Sequence, residues 1–170
     1  VNGFEGIDHI ASGDDILLMQ KFRKRFTGKI HFLKSRDAIV TTAPLNNWKE
    51  FFLQRIRWAS KTGHYKERSL YISLAQVYAL NVSFLLLAIL SVNDMRAGIF
   101  LLLFFLGKLL IEFPFVNTIA SFFSEKKQMK WFVVLQPLHI VYTVLAGTLG
   151  ALGSYQWKGR NIHVKYSTGK

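Results

Sequence analysis

Residues 70 to 92 read LYISLAQVYALNVSFLLLAILSV, a run without one charged side chain. As a helix rising about 1.5 Å per residue it would be about 34 Å long, enough to cross a hydrocarbon core of about 30 Å. Lipid offers no partner to a bare amide, so a segment this apolar is predicted to be a spanning helix.

On the carboxy-terminal side, Asn93 to Arg96 make a short polar turn. Residues 97 to 123 are again apolar apart from Lys108, Glu112 and a few uncharged polar side chains, with Pro114 as an expected kink. A basic loop with Lys126, Lys127 and Lys130 leads to a third uncharged run, 131 to 153, which Trp131 at one end and Tyr155 with Trp157 at the other bracket like an aromatic belt. The predicted fold class is therefore a mostly α membrane protein. Residues 67–155 hold about three transmembrane helices (70–92, 97–123, 131–153), and 156–170 form a basic, polar tail. Residues 1–66 read as soluble or interfacial protein.

Composition agrees. Hydrophobic residues make up 51% and aromatics 15% of the chain, more than a soluble domain carries. Twenty-two Lys and Arg stand against ten Asp and Glu, for a formal charge of +12. These cations flank the apolar runs instead of forming a stripe on one soluble face, and no nucleic-acid module is recognisable. Anionic headgroups or a phosphorylated substrate are the expected partners, and a nucleic acid polymer is not. Cysteine is absent, so no disulfide framework or thiolate metal site is possible, which fits a cytoplasm-facing protein. The chain starts at Val1 and runs straight into Asn2, Gly3 and Phe4, reading as a piece that begins inside a domain.

Within residues 1–66, Ser12-Gly13-Asp14-Asp15 offers a helix start, because Ser or Asp oxygens cap free amides and carboxylates suit the positive end of the dipole. The helix should run to about Phe26. Residues 29–33 and 37–42 read as short strands, and Pro44 with Asn46 and Asn47 marks a turn into a second helix over 48–61. That helix carries Gln54, Arg55, Ile56, Arg57 and Trp58, the pattern Q-x-x-R-W. At about 100° per residue Trp48, Phe52, Ile56 and Ala59 share one stripe, while Gln54, Arg57 and Trp58 fall on its flank and far side. Arg57 can fork onto phosphate oxygens, Gln54 can offer an amide, and Trp58 can present a flat face to a sugar ring. The same helix also reads as an interfacial one whose Trp and Arg sit at headgroup level. Likewise the acidic pair reads either as a base with its neighbour or as a cap.

Other polar residues have structural readings. Lys108 and Glu112 lie four apart on one face of an apolar helix, where they should neutralise each other or a neighbouring helix, a proton or ion path being the alternative. His139 and Gln136 are expected to make interhelical hydrogen bonds, and Gly147, Gly150 and Gly153 to permit close helix packing.

Taken in order, Gly3-Phe4, then Gly13-Asp14-Asp15 followed by Ile16-Leu17-Leu18, then Gln54 to Trp58, then apolar spans, the chain resembles the membrane-bound, inverting family 2 glycosyltransferases of the GT-A fold. The strings QRIRWASK (54–61) and WKGR (157–160) look most like bacterial members. The resemblance implies that residues 1–66 are the carboxy-terminal part of a GT-A catalytic domain, with Asp15 as general base and Asp14, in place of a more usual Glu, supporting it. It implies that Gly3, Phe4, Gln54, Arg57 and Trp58 bind substrate, and that the catalytic part faces the cytoplasm of a bacterial inner membrane. A nucleotide-sugar donor and a lipid or glycan acceptor are the implied partners. Mg or Mn is the implied cofactor, its D-x-D ligands lying upstream and not in this piece, which alone should transfer no sugar. A second reading, from the charge and apolar pattern alone, is a non-enzymatic basic membrane scaffold or transport subunit.

Topology sets two rules against each other. The basic segments 61–68 and 126–130 belong inside by the positive-inside rule if the first two runs form a hairpin. A third full span then carries Lys158, Arg160, Lys165 and Lys170 outside, against the same rule. Length favours three full spans with the tail outside.

Overall fold

A computed structural model describes residues 1–7, 14–62, 68–152, 154–157 and 160–163. Five helices and one hairpin follow in order: α1 (Asp14–Arg25), α2 (Trp48–Ala59), α3 (Arg68–Leu90), α4 (Met95–Phe122), α5 (Phe132–Leu152), β1 (Ser154–Trp157) and β2 (Arg160–His163). Short 3₁₀ turns occupy Arg36–Ala38 and Lys126–Trp131. Three stretches, Arg68–Leu90, Met95–Phe122 and Lys126–Leu152, are long and apolar enough to cross a membrane. The three predicted apolar helices are thus present, with the length and composition of membrane spans and each within a few residues of the expected bounds.

The chain divides into two compact units, one of residues 1–33, 43–76 and 145–170, the other of 34–42 and 77–144. In the first, α2 starts where Asn47 accepts the Glu50 amide at 2.9 Å through its side-chain oxygen, satisfying one of the free donors of a helix start. Its last turn is closed by the Ser60 hydroxyl donating to the Arg57 carbonyl at 2.8 Å. α2 is seated against α5. A Cβ built on Gly150 would stand 2.8 Å from Ala59 Cβ and 2.9 Å from both the Ile56 carbonyl oxygen and the Ser60 nitrogen, so only glycine allows this approach. Of the stripe Trp48, Phe52, Ile56 and Ala59, the end at Ile56 and Ala59 meets α5, while Trp48 is 64% exposed. Strand β1 also lies against α2.

In the second unit Phe84 is buried edge-on against Phe104 and Phe105, with centroids 5.9 and 6.4 Å away. Phe113 and Phe132 join α4 to the start of α5 at 5.6 Å. Asp94 caps α4 by accepting the Arg96 amide at 2.8 Å. Lys108 and Glu112 pair on α4, and the other carboxylate oxygen of Glu112 accepts the Gln136 amide at 2.9 Å. Among the described residues, then, the predicted neutralisation takes place, and Gln136 is tied to Glu112 across helices. Hydroxyls of Ser83 and Thr118 donate to carbonyls one turn back, as side chains without water must. α5 is one-sided: Gln136, Ile140, Ala146 and Gly150 are buried, whereas Val134, Leu138, Val141, Leu145 and Leu149 are exposed.

Two local expectations fail. Residues 29–33 and 37–42 are not strands; the first is irregular and the second begins inside the 3₁₀ turn Arg36–Ala38, started by the Ser35 hydroxyl accepting the Asp37 amide at 3.2 Å. A strand needs a ladder partner, and none faces these segments among the described residues; Phe32 and Val40 are about 85% exposed. Beyond α5, β1 and β2 pair antiparallel, Ser154 with His163 and Trp157 with Arg160, an element that the basic, polar composition does not announce.

Candidate functional site

The sequence-predicted site residues fall on two elements of the first unit. Asp15 sits in the first turn of α1, exposed, with one carboxylate oxygen accepting the Ile16 amide at 2.8 Å. An acid in the first turn suits the positive end of the helix dipole. The amide contact leaves the second oxygen uncommitted by any bond described for this carboxylate. Asp14 opens the helix, and Gly13 lies outside the described residues.

Gly3 and Phe4 form a tight turn that reaches α1 through one lysine. Asn2 and Gly3 both take left-handed backbone angles, φ 55° and 51°, with the Glu5 amide donating to the Asn2 carbonyl at 3.1 Å and the Ile7 amide to the Phe4 carbonyl at 2.9 Å. Glycine adopts this conformation at little cost, unlike most residues. The Lys21 ammonium then donates to the Gly3 and Glu5 carbonyls at 2.7 and 2.8 Å. Nothing in the sequence around Lys21 singles it out from five other cations between residues 21 and 34. Its role is visible only once the turn is folded against α1.

Gln54, Arg57 and Trp58 share α2. Gln54 and Arg57 are half-buried, and Trp58 is about half exposed. The unexpected member is Arg55, the middle residue the motif leaves unspecified. Its guanidinium lies 4.8 Å from the Phe51 ring centroid and 4.6 Å from that of Trp58. One face of the indole is thus already covered by a cation, and the other is the one a ligand can use. The signal was present in the spacing: 51, 55 and 58 are four and three apart, the separations at which helical side chains meet. Chemically the surface offers a guanidinium held between aromatic rings, a second arginine, an amide and an open indole face, a set suited to phosphate oxygens and to a pyranose ring.

Among the described residues no group of three or more His, Asp or Glu is arranged to hold a metal ion. Compared with known protein families, curated proteins and solved structures, the chain matches none.

Proposed function

We propose that this chain is the acceptor-side portion of a membrane glycosyltransferase of the inverting, GT-A type, moving a sugar from a nucleotide-sugar donor to a lipid or glycan acceptor. The observation that carries the reading is the order of the acidic pair and Q-x-x-R-W within one compact unit, with the second motif on a helix seated against an apolar one. In this reading the uncommitted oxygen of Asp15 takes the proton from an acceptor hydroxyl. The freed oxygen electron pair attacks the anomeric carbon, the bond from that carbon to the diphosphate breaks, and the nucleoside diphosphate leaves with the bonding pair. One displacement inverts the centre. Arg57 and Gln54 steady the charge growing on the leaving group, and Trp58 bounds the acceptor through its open face. The donor-binding strands and the metal-binding D-x-D belong to an upstream segment, in a bacterial inner membrane protein with this site on the cytoplasmic side.

The test is Trp58→Ala in the complete transferase, assayed in membranes with a panel of labelled sugar nucleotides. Glycoside formation should fall at least tenfold while the protein stays in the membrane fraction, because the apolar helices hold it there. Unchanged turnover, or equal loss of turnover and membrane association, returns α2 to a purely interfacial role.

A further inference from the structure

Two contacts of α2 bear on how the chain threads the membrane, independently of any sugar transfer. Ser60, at the end of α2, touches Gly150, two residues before the end of α5, and β1, which follows α5, lies against the same helix. The exit of the last apolar helix and the end of α2 are therefore neighbours. α2 is in turn tethered to the start of α3 at Arg68 by residues 61 to 67. Fully extended, that tether reaches at most about 29 Å. It would have to span nearly the whole hydrocarbon core, about 30 Å, to put α2 and Arg68 on opposite faces. Its sequence, KTGHYKE, carries two Lys and a Glu, charges that are costly to place in lipid. α2, the start of α3 and the end of α5 thus belong to one face.

A chain that enters and leaves by the same face crosses an even number of times, so three apolar helices do not make three crossings. Charge selects which one falls short. With α3 and α4 as the crossing hairpin, residues 61–68, the 126–130 loop and the 158–170 tail all lie on the face of α2, and only the 93–96 turn lies opposite. Every cluster of cations then obeys the positive-inside rule, which three crossings violate at the tail. If α4 were the one that turns back, Lys126, Lys127 and Lys130 would be stranded on the far face. α5 is also built for partial immersion, since one side is buried and carries Gln136 and Gly150 while the other is an exposed apolar stripe. We infer that α5 enters and leaves by the same face, that only α3 and α4 cross, and that β1 stands beside α2 on that face.

The cysteine-free chain makes the test direct. Single cysteines at Lys49 on α2, Asn93, Gln128 and Ser167 (the last outside the described residues) are probed in intact cells and after permeabilisation with an impermeant maleimide. Lys49→Cys, Gln128→Cys and Ser167→Cys should label alike, and Asn93→Cys oppositely. Opposite behaviour of Lys49→Cys and Ser167→Cys overturns the shared face. Agreement of Gln128→Cys with Asn93→Cys overturns the assignment of α5 as the helix that does not cross.

Discussion

α1 and α2 are twelve residues each, both carry basic residues in the last turn, and each bears half of the proposed site, yet they are held very differently. α2 is fixed from two directions, by Gly150 of α5 and by β1, and no residue of it is fully buried. α1 buries Leu17, while Met19, Phe22 and Phe26 line up on its opposite side in the open. At about 100° per residue those three fall within one 60° sector, about half a turn from Leu17. The contrast separates position from chemistry. The residues proposed to grip the leaving group and acceptor sit on a helix whose place is set by the membrane part of the molecule. The proposed base sits on a helix with an uncovered apolar side.

The sharpest way to break this comparison is Asp15→Asn in the complete transferase. The amide keeps the shape and can still accept the Ile16 N–H, so the helix start survives; what it loses is the ability to take a proton. General-base contributions set an expected fall in turnover of about 10² to 10⁴. Donor affinity should stay within a few-fold, measured by equilibrium binding of the nucleotide sugar. Retained turnover would leave Asp15 an acid that suits the helix start and α1 a structural element only.

A smaller effect is expected at Gly150. A leucine there must displace Ala59 or the backbone of Ile56 and Ser60, and overpacking of this kind costs roughly 1 to 3 kcal/mol. Gly150→Leu should leave membrane insertion intact but raise amide exchange across α2, with α1 unchanged. Equal exchange in both helices would mean that the contact does not set α2 apart.

The helices were legible because their cause is local. Charge-free length marks α3, α4 and α5; Asn47 before Trp48 marks the start of α2; Ala59, the last residue of the 48–52–56–59 stripe, is where its side chains meet α5. The hairpin at 154–163 escaped because aromatic residues beside an apolar run read equally as a membrane belt or as strand, and only pairing decides between them. Residues 29–42 misled for the converse reason, since β-branched and aromatic side chains favour a strand only where a partner strand exists. At the candidate site, the motif residues Gln54, Arg57 and Trp58 could be picked from the motif, whereas Lys21 carried no signal and Arg55 only the 51–55–58 spacing, which the motif does not use. One acts through a turn eighteen residues away; the other occupies a position the pattern leaves open.

Arg55 supports the finest test of the comparison, because it decides how rigid the indole of Trp58 is on the helix that α5 holds. Its guanidinium stands between Phe51 and Trp58 at 4.8 and 4.6 Å, and an interaction of this kind contributes about 0.5 to 1 kcal/mol where solvent reaches it. Removing it leaves α2 in place, since Gly150, β1 and the Asn47 cap are untouched, but uncovers the second face of the ring. Arg55→Ala, made with Trp48, Trp131 and Trp157 replaced by Phe so that Trp58 alone reports, should lower the steady-state anisotropy of the indole and increase its quenching by acrylamide, by about two- to three-fold. Arg55→Lys should recover only part of the effect, because an ammonium is a point charge and does not stack as the planar guanidinium does. If anisotropy and quenching are unchanged in Arg55→Ala, the ring is held by the packing of α2 itself, and both of its faces were equally open to a ligand from the start.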